Sequence, residues 1–436
     1  MQEEFLYYIW QQRLLLKPDL RLTNGDQIEI IHPGFRNHES GPDFFNARLR
    51  IDGMLWAGNV EIHTRASDWH RHHHTGDLNY DNIILHAVAI NDAEILRLDG
   101  SPFPTLLMTG AYPDIYEHNY RHLMEGHGKY LPCSHQLLQV DSIVQQQVLD
   151  RMLTERLESR FNDLEEIVAS TGKRWPESFH QLLGRSFGFK TNAGPFEMLA
   201  KSLPHELLIR HRDQPEDIEA LLYGQAGLLP SQASDPYAER LKRQYRFLRH
   251  KYHLQPMSAH LWKFGGLRPV NFPTLRISQF AALFHHHEYL FDRIINAIEL
   301  SDLAQLLDVT ASDYWYQHYR FGIRSEPYAK KLGKDAIHTL IINAIIPFLF
   351  FYGRRRHQPL LCDKALFWLE KCPPENNRII RLFQETGWYS QNAGNTQAQL
   401  HLKKQYCDYK KCVNCGIGQH LLQQHATTHS TDQKLV

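Results

Sequence analysis

One-sided charge is missing from this chain: 48 lysines and arginines balance 48 aspartates and glutamates over 436 residues. A neutral total excludes a global basic field drawing the protein onto nucleic acid, so any such contact must come from local patches. Cysteine is scarce too. Six over this length do not suggest a disulfide framework. Long apolar runs are also missing, for the longest, Ile341 to Tyr352, contains Asn343 and Pro347. It falls short of the ~20 apolar residues that span a bilayer. The start, Met1-Gln2-Glu3-Glu4, is acidic and enters helical periodicity at once, with no basic and apolar leader. No repeat recurs at a fixed period, which argues against a solenoid. These absences lead us to expect a cytoplasmic protein without membrane contact, and they leave its oligomeric state open.

What is present begins with 28 histidines, many of them in the first quarter of the chain. The length exceeds the roughly 250–300 residues at which single cores stop growing, so two or three domains are expected. Residues 3–16 carry helical spacing, and about six strands follow up to residue 110. From Asp141 onward strand signals vanish and helical periodicity takes over, first in one long helix running to about Ser170. The expected fold class is α+β: a mixed sheet with flanking helices, then a large all-helical region. The expected divisions are 1–125 for the α/β part and 126–405 for the helical part. A cysteine motif over 406–424 and a disordered tail over 425–436 complete them.

The first candidate site is Asp43, Glu61 and His63. Asp43 leaves the turn Gly41-Pro42, and Glu61 and His63 lie two residues apart in Asn59-Val60-Glu61-Ile62-His63. Converging carboxylates suit Mg²⁺ or Mn²⁺ and phosphodiester hydrolysis, with an imidazole to orient water. The hairpin joining them carries a conflict. A two-residue turn at Asp52-Gly53 pairs Ile51 with Met54 and gathers Ala47, Leu49, Ile51, Trp56, Val60 and Ile62 on one apolar face. It also sets Phe44, not Asp43, opposite Glu61. A bulge near Pro42-Asp43 satisfies both demands.

Three further constellations stand out. His72, His74, Asp77 and Tyr80 belong to a histidine-rich loop, able to hold a transition metal or to line the same cleft. Cys407, Cys412 and Cys415 have the spacing of metal or cluster ligands. Cys133, Cys362, Cys372 or His420 could complete that set around zinc or an iron–sulfur cluster. Arg240, Arg243, Arg246 and Arg249 recur every third residue on one helix flank, where nucleic-acid phosphates could be met.

Gly41-Pro42-Asp43-Phe44, Asn59 to His63, Asp68-Trp69, His72, His74, Asp77, Tyr80 and Ile84-Leu85-His86 resemble the N-terminal signature of the bacterial family called domain of unknown function 2851. Pro132-Cys133, Gly266 to Pro273, Asn392-Ala393 and Tyr406 to Gly418 resemble its later signatures. The N-terminal layout also resembles the PD-(D/E)XK nuclease core, with His63 where that superfamily usually has lysine. That likeness implies a metal-dependent nuclease in which Asp43 and Glu61 hold the ion and helical-region arginines hold DNA or RNA. Cys133 with the late cysteine triplet resembles the cluster staple of some RecB-like nucleases. The alternative is a nucleic-acid-binding scaffold that keeps the fold without the chemistry.

Overall fold

A computed structural model describes residues 2–15, 20–37, 39–125, 131–231 and 235–424; the expected tail over 425–436 lies outside them. The architecture is α+β, a mixed six-stranded sheet with flanking helices followed by a large helical region. Among the described residues no feature is specific to the PD-(D/E)XK fold. The chain divides into two compact units. One comprises Met1–Asp150, Arg378–Tyr389 and Gln399–Val436; the other comprises Arg151–Asn377 and Ser390–Ala398.

In the first unit, helix α1 (Glu3–Gln11) precedes strands β1 (Ile28–His32), β2 (Phe35–Arg36), β3 (Phe44–Ile51), β4 (Met54–Arg65), β5 (Ile83–Ile90) and β6 (Thr105–Leu107). The sheet order is β1-β3-β4-β5-β6, with β2 paired to β3. Strands β3 and β4 form the antiparallel hairpin expected from Asp52-Gly53, with Ile51 opposite Met54 and Leu49 opposite Trp56. Both turn residues have positive φ, 44° and 81°, as a tight two-residue hairpin turn requires. A bulge then lies between Phe44 and Ala47, where Asn46 adopts a left-handed conformation at φ 57°. The extra residue moves Phe44 opposite Val60. Asp43 is thereby carried to the level of Glu61, while Ala47, Leu49 and Ile51 stay buried.

Strand β4 pairs with β5 in parallel, and β5 with β6 in parallel. A parallel pair needs a crossover of a dozen or more residues. Here that crossover, residues 66–82, contains the short helix α2 (Asp68–Arg71) and the histidine-rich loop. Seven of the eight residues of β5 are buried, as its near-continuous apolar sequence demands. Helix α1 seats Phe5, Leu6, Ile9 and Trp10 in the core on one side of the sheet, and Val413 and Leu422 from the C-terminal segment join them. Each such large apolar side chain contributes about 1.5–3 kcal/mol on burial. Between β5 and β6, residues 95–98 form no strand and make the bridge Leu96–Pro102.

The helix expected to run unbroken to Ser170 is two helices, Ser142–Glu158 and Phe161–Ser170, the first of which spans the end of the first unit's N-terminal segment. At the break, Arg160 turns its guanidinium to the carbonyl and side chain of Asn343, at 3.1 and 3.2 Å. A two-stranded ribbon, His318–Arg320 with Ile323–Arg324, interrupts what was expected to be all helix. The apolar run at 341–352 belongs to a longer helical stretch, Lys334–Arg355, which by length and composition is sufficient to cross a membrane. Its apolar window is 78% buried inside the protein, the condition of a core helix. Its π-turn at Ile341–Ile345 sits just before Pro347, which has no N–H to offer a regular helix.

Candidate metal centre

Residues two apart on a strand share a face, so β4 presents Glu61 and His63 together. Its parallel neighbour places His86 beside Glu61. The crossover then returns over this face. Between His72 and His74, His73 holds a left-handed conformation at φ 61°, while a ring nitrogen of each neighbour comes close to His63. A non-glycine residue held there is strained, and such strain concentrates at working sites.

The rings of His63, His72 and His74 thus offer three nitrogens within 4.8 Å of one another. His72 Nδ1 lies 3.2 Å from His63 Nε2. That nitrogen lies 3.5 Å from Glu61 Oε1, and His74 Nε2 lies 3.2 Å from the same oxygen. Adjacent ligands on a tetrahedral zinc-type ion are separated by about 3.3 Å, given metal–nitrogen bonds near 2.0–2.1 Å. Three of the six pairs among these four atoms have that spacing, and the three histidine nitrogens lie within 4.8 Å of one another. His74 Nε2 is buried and, despite its distance from Glu61, lacks the alignment of a hydrogen bond. Among the described residues it has no other acceptor or donor, and a cation held between the rings would give it a partner.

His63 Nδ1 lies 2.9 Å from His86 Nε2. When Nδ1 carries the proton, the Nε2 lone pair faces the cluster; a partner of this kind orients a ligating imidazole. Burial pushes His63 down to about 2 and His86 down to about 3, so both rings stay neutral and able to ligate. Burial also raises Glu61, to about 7, with the adjacent His74 ring opposing the shift and Asp43 adding to it. Trp69 packs against His63, His74, His86 and Tyr80, and Tyr80 stacks on His74 with ring centres 3.9 Å apart. These rings keep water from one side, while exposed His72 leaves the other open.

Asp43 does reach Glu61, but not as a ligand pair for Mg²⁺ or Mn²⁺. Its N–H donates to Glu61 Oε2 at 3.0 Å. Its own oxygens accept from the Ile62 N–H and from Arg36, each at 2.9 Å. Arg36 also lies over the Tyr7 ring, 3.6 Å from its centre. Asp43 therefore braces β3 against β4 with its charge already neutralised. The donor set is imidazole-rich, which suits a borderline transition metal rather than a hard ion. The expectation of Mg²⁺ or Mn²⁺ on an acidic pair is corrected accordingly.

The cysteine motif forms no second centre. Cys133, Cys407, Cys412 and Cys415 are near enough for mutual electrostatic influence. Among the described residues, however, only the histidine trio brings three ligand atoms within 4.8 Å. Burial, with repulsion among neighbouring thiols, raises Cys133, Cys407 and Cys412 above the ordinary thiol range, Cys412 to about 12. The expected zinc or iron–sulfur cluster on Cys133, Cys407, Cys412 and Cys415 is not supported. The motif instead shapes backbone: Cys412 opens a short 3₁₀ turn, and Cys415 precedes the helix Gly416–Gln423.

Asp77 caps the turn Leu78–Tyr80 by accepting from the Asn79 N–H at 3.0 Å. With His74 and Tyr80 it lines a cavity of about 360 Å³ whose other charged residues are Asp81, Asp99 and Arg97. The arginine stripe lies exposed on the helix Pro236–Tyr252 of the other unit. There Arg240 is paired to Glu216 at 3.0 Å and Arg249 donates to the Leu254 carbonyl. Sequence reasoning overlooked Arg36, Tyr7 and the orienting role of His86. Only His86 left a signal, as the one polar residue in an apolar strand.

The chain belongs to the family described as Protein of unknown function (DUF2851), which it matches over residues 3–378. No curated protein and no solved structure matches the chain.

Proposed function

Starting from membership in a family without an assigned activity, we propose that this protein is a transition-metal-dependent hydrolase whose ion is held by His63, His72 and His74. The observation that carries the reading is the spacing of the four donor atoms, 3.2, 3.5 and 3.2 Å along the series His72, His63, Glu61, His74. A bound ion of this class supplies an acidified water and polarises a carbonyl or phosphoryl oxygen. Glu61, raised towards neutrality by burial, would be the proton acceptor beside such a water and the donor to a leaving group. His86 fixes the His63 ring, and Asp43, clamped by Arg36, fixes the Glu61 carboxylate through its N–H.

The nuclease form of this reading meets an obstacle in the adjoining cavity. Asp77, Asp81 and Asp99 outnumber Arg97 there, a field that opposes a polyanion and favours an uncharged ester or amide. A second reading rests on Glu61 itself, which stands where a fourth ligand would. Four protein ligands close a site and make it structural; three leave a place for water.

The test combines metal analysis of protein purified without chelator with hydrolysis of phenyl esters, anilides, single-stranded DNA and plasmid. One equivalent of transition metal is expected, with turnover that falls ~10²–10⁴-fold in Glu61→Gln while the metal is retained. Cleavage confined to DNA would restore the nuclease. Stoichiometric metal without turnover, and with a lower Tm after chelation, would establish the structural site. Protein that takes up no transition metal would overturn both.

A further inference from the structure

A second site lies wholly within the helical unit. Arg276, on the helix Pro273–His286, is 7% exposed, and among the described residues no carboxylate comes within ion-pair distance of it. It donates to Gln279 Oε1 at 2.9 Å and Asn271 Oδ1 at 2.6 Å, both uncharged acceptors. Its Nε has no partner among the described residues. A guanidinium has five N–H donors, so three remain unused. Burial lowers its pKa only to about 10, and the charge persists at neutral pH. An uncompensated buried cation is costly, and proteins retain one where an anion completes it.

The surroundings are built to hold this group. Phe189 lies against the guanidinium, 4.6 Å from its ring centre, and does so in a left-handed conformation at φ 49°. Gly188 makes that turn possible, since a Cβ there would stand 2.2 Å from the Asn192 carbonyl oxygen. Arg276 borders a cavity of about 280 Å³ whose lining includes Phe187, Phe196, Lys190 and Thr191. Lys190 is exposed, and neither it nor Thr191 has a side-chain partner among the described residues. Asp335, the acid in the lining, is exposed and forms no ion pair with Arg276. Leu267, Asn271 and Pro273 also line the cavity. They come from the Gly265–Pro273 loop, a sequence feature that the metal centre leaves without a role.

We infer that this cavity binds a small oxyanion, a phosphate or carboxylate group on a compact apolar body, with Arg276 as its principal partner. Guanidinium pairs with planar and tetrahedral oxyanions by parallel N–H bonds, and aromatic walls accept the remainder of such a ligand. Titration calorimetry on the full chain at constant ionic strength would use inorganic phosphate, benzoate and chloride. Phosphate or benzoate should bind and chloride should not. Arg276→Gln should weaken binding at least about tenfold, and Lys190→Ala about threefold. Binding of phosphate alone identifies a phosphoryl ligand; binding of benzoate alone identifies a carboxylate. Absence of binding by both, or equal affinity in wild type and Arg276→Gln, overturns the site. Should Arg276→Gln fail to fold, Lys190→Ala at an exposed position carries the test, and unchanged affinity there overturns it. Metal content should be the same in all three proteins, which separates this site from the histidine cluster.

Discussion

Two histidines, one in each unit, are buried alike and act in opposite ways. His180 is 2% exposed and its Nε2 donates to the carbonyls of Ala200 and Leu203, at 3.1 and 2.9 Å. His63 is 1% exposed, and its nitrogens meet His86, His72 and Glu61 instead. A neutral imidazole has one proton and one lone pair. Among carbonyls its tautomer is settled and it serves as a core donor. Among other imidazoles and a carboxylate the protons are too few for every contact, a deficit that a bound cation would resolve. Burial alone does not separate a structural histidine from a ligand; what its nitrogens face does.

The sharpest test of this contrast exchanges the two losses. His74→Ala should cut bound metal from one equivalent to about a tenth or less while leaving the fold intact, read by metal analysis and circular dichroism. His180→Ala should keep the metal and lose about 2–3 kcal/mol of stability in denaturant titration, from a cavity and two carbonyls left unpaired. Metal loss in His180→Ala would break the distinction. His86→Leu should weaken metal affinity roughly 10–100-fold, the usual effect of removing the partner that orients a ligand. An unchanged affinity would remove His86 from the site.

The smallest expected effect is on pH dependence without metal. Histidines with depressed folded pKa values, about 2 for His63 and about 3 for His86, stabilise the fold above the unfolded value of 6.5. That contribution is lost as pH falls below 6.5 towards those values. Glu61 has the opposite sign: its folded pKa is raised from 4.5 to about 7, so its effect on stability worsens as pH rises through that window. Between pH 6.5 and 5 the net loss should be about 1–2 kcal/mol, and Glu61→Gln should steepen it by removing the offset. A profile as shallow in Glu61→Gln as in wild type would show that Glu61 is not shifted in the apo protein.

Much of the first unit was legible before its coordinates. Alternating apolar residues on either side of Asp52-Gly53 set the hairpin, and the chemistry of Asp43 and Glu61 demanded the bulge. The structure has one, a few residues later than expected, at Phe44–Ala47. The histidine loop was legible as a ligand source, but its union with His63 depends on a parallel crossover, which no local pattern encodes. Arg36 on Asp43 was hidden for a related reason. The two lie 7 residues apart on either side of a polar loop, and β2 supplies only two residues of periodicity. The cysteine spacing misled because spacing records proximity along the chain, whereas ligation depends on how the sulfurs converge in space.

The crossover that brings His72 and His74 over the sheet has a kinetic side. Parallel pairing of β4 with β5 must wait for the intervening loop to close, a step governed by chain entropy. An ion shared by His63 and His74 closes a loop of roughly ten residues, pinning the connection to the end of β4 before β5 arrives. Loading such an ion during synthesis would therefore order the slowest part of the sheet early. The strained turn at His73 would then be a latch that the ion sets rather than a defect that the finished fold tolerates.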